Sequence, residues 1–101
     1  MARDIPLPHP GEVLKEEFLI PMGLSVYALA KAIHAPRSRL NDICHGRQAI
    51  TPAMALRLGR FFQVDPQWFV NMQGVYDLER AREGLGEALE AIKPWRRPEA
   101  A

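Results

Sequence analysis

The sequence contains little that would anchor the chain in a membrane or cross-link it. Its longest apolar run extends only from Val26 to Ala30, whereas a membrane-spanning helix needs about 20 such residues. The first residues also lack the apolar core of a signal peptide. Cys44 is the single cysteine, which excludes an internal disulfide and is typical of a reducing compartment. We therefore predict a cytoplasmic protein with no membrane partner.

The chain as a whole also lacks a large excess of charge of either sign. Thirteen basic and twelve acidic side chains leave a net charge of +1 over 101 residues, and 48% of the residues are hydrophobic, as expected of one small folded domain. The basic residues nevertheless concentrate between Lys31 and Arg60, where the single acid is Asp42. Such a patch is either an electrostatic footprint for phosphate or a solvated surface, and charge alone favours neither interpretation.

Residue patterns that support catalysis or metal binding are missing from the sequence. There is no glycine-rich phosphate loop and no nucleophile beside a positioned base. His34 lies on a different element from Cys44, and the side chains of Cys44 and His45 point about 100° apart on a helix, so they do not converge as zinc ligands do. We predict no enzymatic activity, no metal site and no cofactor.

Proline, glycine and capping residues divide the chain into five helical segments. The prolines at positions 6, 8 and 10 predict an extended arm over residues 1–10, and the helical domain follows over residues 11–82. Thr51-Pro52 and Asp65-Pro66 are helix starts, and Gly46 is a left-handed helix end. Gly84 and Gly86 weaken the pattern over 83–101, which we predict to be a weakly helical tail. No alternating strand pattern is present, so the fold class is all-α.

The second and third segments, Ser25–Ile33 and Pro36–His45, form a pair joined by a tight turn. The second segment has an apolar stripe that includes the small residue Ala30, where another helix can approach closely. The third has only Leu40 and Ile43 as apolar core residues, and its other positions are mostly polar or charged. A helix of this composition is typical of the recognition helix of a helix-turn-helix, which enters the major groove of DNA.

Longer stretches of the sequence resemble one known family. Residues 37–43 (RSRLNDI) and 46–51 (GRQAIT) are similar to the HigA/VapI group of XRE-type helix-turn-helix proteins, as are residues 9–14 and 68–78. The resemblance covers about residues 9–82. It implies a λ-repressor-like domain of five helices, with a short extra C-terminal helix or tail.

The same resemblance implies a function. A member of this group is expected to be a homodimer that binds an inverted-repeat operator in its own promoter, and so to be nucleoid-associated. It is also expected to silence a HigB-type RNase toxin encoded by a neighbouring gene. The open alternatives are a stand-alone XRE-type regulator and a protein-interaction module that has lost DNA binding.

The docking pattern of the family can be carried over by position. The residues expected to contact bases are Arg37, Ser38, Asn41 and Asp42, and those expected to contact phosphate are Ser25, Arg39, His45, Arg47 and Gln48. Arg37 has a phosphate contact as its alternative role, and Asp42 an ion pair with Arg39 or another arginine. The turn holds His34 where many helix-turn-helix proteins have glycine, and histidine is among the residues that tolerate a left-handed conformation.

The sequence has more aromatic residues near its fourth and fifth helices than a core of this size needs. We assign Phe62 and Trp68 to the core. The remaining apolar face of the fifth helix is a candidate dimer seam, because a symmetric dimer buries the same patch on both subunits. The predicted interface residues are Phe69, Met72 and Tyr76.

Overall fold

The computed structural model describes residues 6–98, which form helices and no strand, so the predicted all-α class is confirmed. The first helix, α1, spans Pro10–Leu14 and continues as a π-helical turn over Lys15–Leu19. The other helices are α2 (Val26–Ile33), α3 (Arg37–Cys44), α4 (Pro52–Phe62), α5 (Pro66–Leu85) and α6 (Glu87–Glu90). Residues 1–5 of the predicted arm and 99–101 of the predicted tail lie outside the described residues.

Side-chain caps fix the starts of three helices where the sequence places them. Ser25 Oγ accepts a hydrogen bond from the Ala28 N–H at 3.0 Å, and Thr51 Oγ1 accepts one from Met54 at 3.2 Å. The carboxylate of Asp65 accepts from the Gln67 N–H at 2.9 Å. Each cap satisfies a backbone donor that has no partner inside the helix. Pro36 differs from the prediction, because it precedes α3 in an extended conformation instead of being its first residue.

The core lies where the helices cross, and it positions α3 from behind. The largest fully buried side chains include Leu14, Leu29, Leu40 and Phe69, one from each of α1, α2, α3 and α5. Helix α1 approaches α3 so closely at Gly11 that a Cβ atom there would overlap the carbonyl oxygen of Ile43. Glycine is required at this position because of the close approach of two backbones.

Two predictions about the aromatic residues need correction. Trp68 is 43% exposed and is not a core residue, whereas its neighbour Phe69 is completely buried. Phe62 is partly buried against the core, as its assignment requires. The burial of Phe69 removes it from any exposed dimer seam, so that part of the predicted interface is wrong.

Candidate nucleic-acid interface

The turn between α2 and α3 is fixed by a residue from another helix. His34 ends α2 in the left-handed conformation, with φ 57° and ψ 45°, which histidine tolerates better than most non-glycine residues. Arg57 of α4 donates hydrogen bonds to the carbonyl oxygens of Ile33 at 2.9 Å and His34 at 3.1 Å. These carbonyls belong to the last turn of α2, where backbone acceptors lack helical partners. Arg57 therefore holds the turn that sets the position of α3 relative to α2.

Helix α3 has one buried side and one polar side. Leu40, Ile43 and Cys44 are buried. At about 100° per residue, Ser38, Asp42 and His45 occupy the middle of the opposite side, and Asn41 lies beside them. Arg37 and Arg39 are exposed at its two edges. All four predicted base-contacting residues are thus on the solvent-facing part of one short helix.

Asp42 forms an ion pair with Arg47, which was the alternative to a base contact in the sequence prediction. Both Nη2 and Nε of Arg47 contact Asp42 Oδ1, at 2.9 and 3.0 Å, and the Arg47 backbone N–H donates to the Asp42 carbonyl at 2.8 Å. The pair therefore orders the loop after α3 and directs the Arg47 side chain along the exposed surface. Because both groups are substantially solvent-exposed, the pair contributes at most about 1 kcal/mol to stability.

The predicted phosphate-contacting residues surround α3 and are all exposed: Ser25, Arg39, His45, Arg47 and Gln48. Ser25 uses its oxygen to cap α2, but a hydroxyl can accept one hydrogen bond and donate another, so its proton is free for a ligand. His45 Nδ1 is 2.8 Å from the Asn41 carbonyl, which orients the ring. Gly46 then turns the chain at φ 75°, as predicted for a left-handed residue there.

The loop that carries Arg47 and Gln48 is held by α5. Gln73, the one buried polar residue among those described, accepts a hydrogen bond from the Ile50 N–H at 2.8 Å. Its amide donates to Asp77 at 2.9 Å. The far end of the loop is therefore tied to α5, while the Asp42–Arg47 pair orders its start.

His9 contributes to the same region from the N-terminal side. Its Nδ1 accepts from the Gly11 N–H at 2.9 Å, and its ring packs edge-on against Tyr76 at 5.0 Å. Burial lowers the pKa of His9 from its ordinary value, against the opposing effect of the carboxylates of Asp77 and Glu12. The neutral ring that this favours is the form able to accept the Gly11 hydrogen bond and cap α1.

Cys44, His34 and His45 do not form a metal site. No group of three or more histidine, cysteine or acidic side chains in residues 6–98 is arranged to hold a metal ion. Cys44 is on the buried side of α3, and burial raises the pKa of its thiol. Across the same residues, no helix has both the length and the apolar character that crossing a membrane requires.

Known proteins resemble this chain in both sequence and fold. A helix-turn-helix family model matches residues 14–69. Virulence-associated protein I of Dichelobacter nodosus is 51% identical over 79% of this chain and 74% of its own length, and antitoxin HigA-1 of Vibrio cholerae is 33% identical over 83% and 79%. The structure of Pseudomonas aeruginosa antitoxin HigA with the higBA promoter is 38% identical, with a TM-score of 0.83 over 86% of this chain and 96% of that one.

The chain belongs to the HigA/VapI group of helix-turn-helix proteins. Its relatives include proteins named as HigA antitoxins and as helix-turn-helix transcriptional regulators. The fold is the XRE-type helical domain of that group.

Sequence reasoning missed three residues that organise this HigA/VapI site. Tyr27, Arg57 and Gln73 act on α3 or its flanking loops from other helices: the guanidinium of Arg37 lies over the Tyr27 ring, and the other two hold the turn before α3 and the loop after it. Arg57 and Gln73 each contact residues more than 20 positions away, so no local pattern marks them. Tyr27 left a signal, since it is a large aromatic residue outside the apolar stripe of α2.

Proposed function

We propose that the chain is a sequence-specific DNA-binding autorepressor that acts as the antitoxin of a HigB/HigA-type toxin–antitoxin pair. The observation that carries the proposal is the distribution of buried apolar and exposed polar residues on α3. Its few apolar residues are all buried, and its polar residues face solvent. The turn before this helix is held by Arg57 of α4, and the loop after it is held by Gln73 of α5. A relative with the same fold is seen with promoter DNA, which supports the same use of this surface.

In this proposal α3 lies in the major groove and divides its contacts by chemistry. Arg37 can bind guanine O6 and N7 through two parallel hydrogen bonds, and Asn41 can bind adenine in a similar way. Ser38 suits several base edges, and the outer oxygen of Asp42 can accept from a cytosine amino group. The surrounding phosphate contacts, from Ser25, Arg39, His45, Arg47 and Gln48, supply affinity and register but no sequence information.

Replacing Arg47 by alanine tests the phosphate assignment. We expect roughly tenfold weaker binding to operator and to random duplex alike, and a salt dependence shallower by about one unit of slope, because one phosphate contact is lost. Fluorescence anisotropy over a salt series measures both quantities. Arg60→Ala is the matched control, since Arg60 is an exposed arginine on α4 outside the proposed contacts. A loss confined to the operator would contradict the phosphate role.

We further propose that the chain binds its operator as a homodimer. Two half-sites on one face of DNA are separated by about 34 Å, which requires two recognition helices. Apolar side chains at spacings of three, seven, four and three residues remain between 46% and 68% exposed along α5 and the residues after it, namely Val75, Leu78, Leu85, Leu89 and Ile92. Met72 and Tyr76 are partly buried at the start of this stripe and stay in the proposed interface, whereas Phe69 does not. Burial of the stripe against a second copy would remove a large apolar surface from water.

A double substitution in this stripe tests the dimer. Leu78→Glu combined with Leu85→Glu is expected to give monomers in light scattering. Operator binding should become at least about a hundredfold weaker, because the two recognition helices are no longer linked and each must bind its half-site alone. The folded helices should persist in circular dichroism, since both residues are exposed. Met22→Glu, in an exposed loop, is the control. Dimers that survive the double substitution would place the seam elsewhere.

Autorepression and toxin binding are tested in cells with the native gene neighbourhood. A reporter fused to the upstream region should be repressed by the wild-type chain and released by Arg37→Ala. The product of a short adjacent reading frame should arrest growth alone, and should co-purify with this chain when both are expressed. Repression without such a partner indicates a stand-alone regulator. Binding of the partner without repression of the reporter indicates an interaction module that has lost DNA binding.

A further inference from the structure

Tyr27 and Arg37 form a contact that links the first turns of α2 and α3. The guanidinium carbon of Arg37 lies over the Tyr27 ring at 5.7 Å from its centroid, within the range of a cation–π interaction. Tyr27 is 60% exposed and is not among the residues that pack on the core. Its ring therefore has little role in folding, and it contacts the first residue of α3.

We propose that Tyr27 is a positioning residue for operator recognition, which holds the guanidinium of Arg37 ready to read a base. The role rests on the proposed function, in which Arg37 contacts bases. Arg37 lies at the edge of the exposed side of α3, so its long side chain reaches the middle of a groove only in some of its rotamers. The cation–π contact with the Tyr27 ring restricts those rotamers before DNA arrives, and a group ordered in advance loses less entropy on binding.

An aromatic ring such as that of Tyr27 is better suited to this role than a carboxylate. Within residues 6–98 no carboxylate lies in ion-pair range of Arg37, whereas Arg47 is bound to Asp42. A carboxylate occupies the in-plane N–H donors of an arginine and offsets its charge. An aromatic face contacts the guanidinium from above and leaves those donors and that charge free for guanine. Arg37 and Arg47 are thus held differently: the ring contact leaves the donors of Arg37 available, whereas donors of Arg47 are engaged by Asp42.

Binding measurements on three Tyr27 variants test the proposal. Tyr27→Ala and Tyr27→Leu should weaken operator binding by about three- to tenfold with little change on random duplex, so the ratio of the two affinities falls. Tyr27→Phe should keep the wild-type ratio, because the ring face remains. Phe61→Ala, which shortens another exposed aromatic residue away from α3, should leave both affinities unchanged. Thermal unfolding of each variant establishes that it is folded.

A double-mutant cycle with Arg37→Ala separates positioning from a direct contact. In the Arg37→Ala background, Tyr27→Ala should have no further effect on operator binding, because the two side chains act as one unit. Fully additive losses, or a loss in Tyr27→Phe equal to that in Tyr27→Ala, would overturn the proposal and make the Tyr27 hydroxyl a separate DNA contact. Equal weakening on operator and random duplex would overturn it as well.

The contact between Tyr27 and Arg37 can be tested in the free protein, independently of DNA binding. In NMR spectra without DNA, the Arg37 Nε–H resonance should be shifted by the ring current in wild type and Tyr27→Phe, and the shift should vanish in Tyr27→Leu. No shift in the wild type would refute the stacked arrangement itself. If the shift is present and the wild-type chain fails to discriminate operator from random duplex, the proposed function fails and takes the role of Tyr27 with it.

Discussion

Replacing Arg37 by alanine is expected to weaken operator binding by about 1–3 kcal/mol and to relax the preference at one base pair. Arg37 is exposed at the start of α3, and a bidentate arginine contact discriminates guanine from other bases by about that amount. The measurement is a titration of wild type and variant against a panel of duplexes, each with one operator base pair changed. At the base pair that Arg37 reads, the variant should bind all duplexes with the same affinity, whereas the wild type should keep its preference for one base.

Arg39→Ala is the control for this experiment, because Arg39 lies at the opposite edge of α3 and is assigned to phosphate. It should lower affinity by a similar factor for every duplex in the panel, with the base preferences kept. If Arg37→Ala behaves in the same way, its contact is to the phosphate backbone, and the specificity must come from Ser38, Asn41 and Asp42.

Replacing Gly11 by alanine is expected to destabilise the fold by about 3 kcal/mol or more. The new Cβ would overlap the backbone carbonyl of Ile43, and a backbone group cannot rotate out of the way as a side chain can. Helix α1 would have to move away from α3 and open the core around Leu14 and Leu40. Urea unfolding followed by circular dichroism measures the change as a shift of the midpoint at constant slope.

Gly74→Ala is the matched control for Gly11→Ala. Gly74 is inside α5, and a Cβ there would meet nothing within 4 Å. Alanine should therefore stabilise the protein by about 0.5–1 kcal/mol through its higher helix propensity. Glycine-to-alanine substitution should thus destabilise the protein at position 11 and stabilise it at position 74. A Gly11→Ala protein as stable as the wild type would contradict the close crossing of α1 and α3.

The sequence was most informative where a local rule decides the structure. The caps at Ser25, Thr51 and Asp65 and the left-handed Gly46 depend on groups within a few positions along the chain, and all were predicted. The polar face of α3 also followed from the sequence, because Leu40 and Ile43 fix which side of so short a helix is buried.

Packing between distant segments decided the features that the sequence did not reveal. Trp68 and Phe69 are adjacent and equally apolar, and only the position of α5 against the other helices determines that Phe69 is the buried one. The stacking of Arg37 on Tyr27 and the capping of α2 by Arg57 depend on how helices meet. Helix α5 also runs through Gly84 to Leu85, since the loss of about 1 kcal/mol for one glycine does not end a helix of 20 residues.

Binding of the wild-type chain to duplex from upstream of its own gene, compared with a scrambled duplex over a salt series, tests the central claim most directly. Sequence-specific recognition through α3 predicts that the upstream duplex binds roughly a thousandfold more tightly or better, and that both affinities fall steeply with salt. Absence of binding to either duplex at low salt would mean that Arg37 and Arg47 do not face phosphate, and would contradict the DNA-binding function.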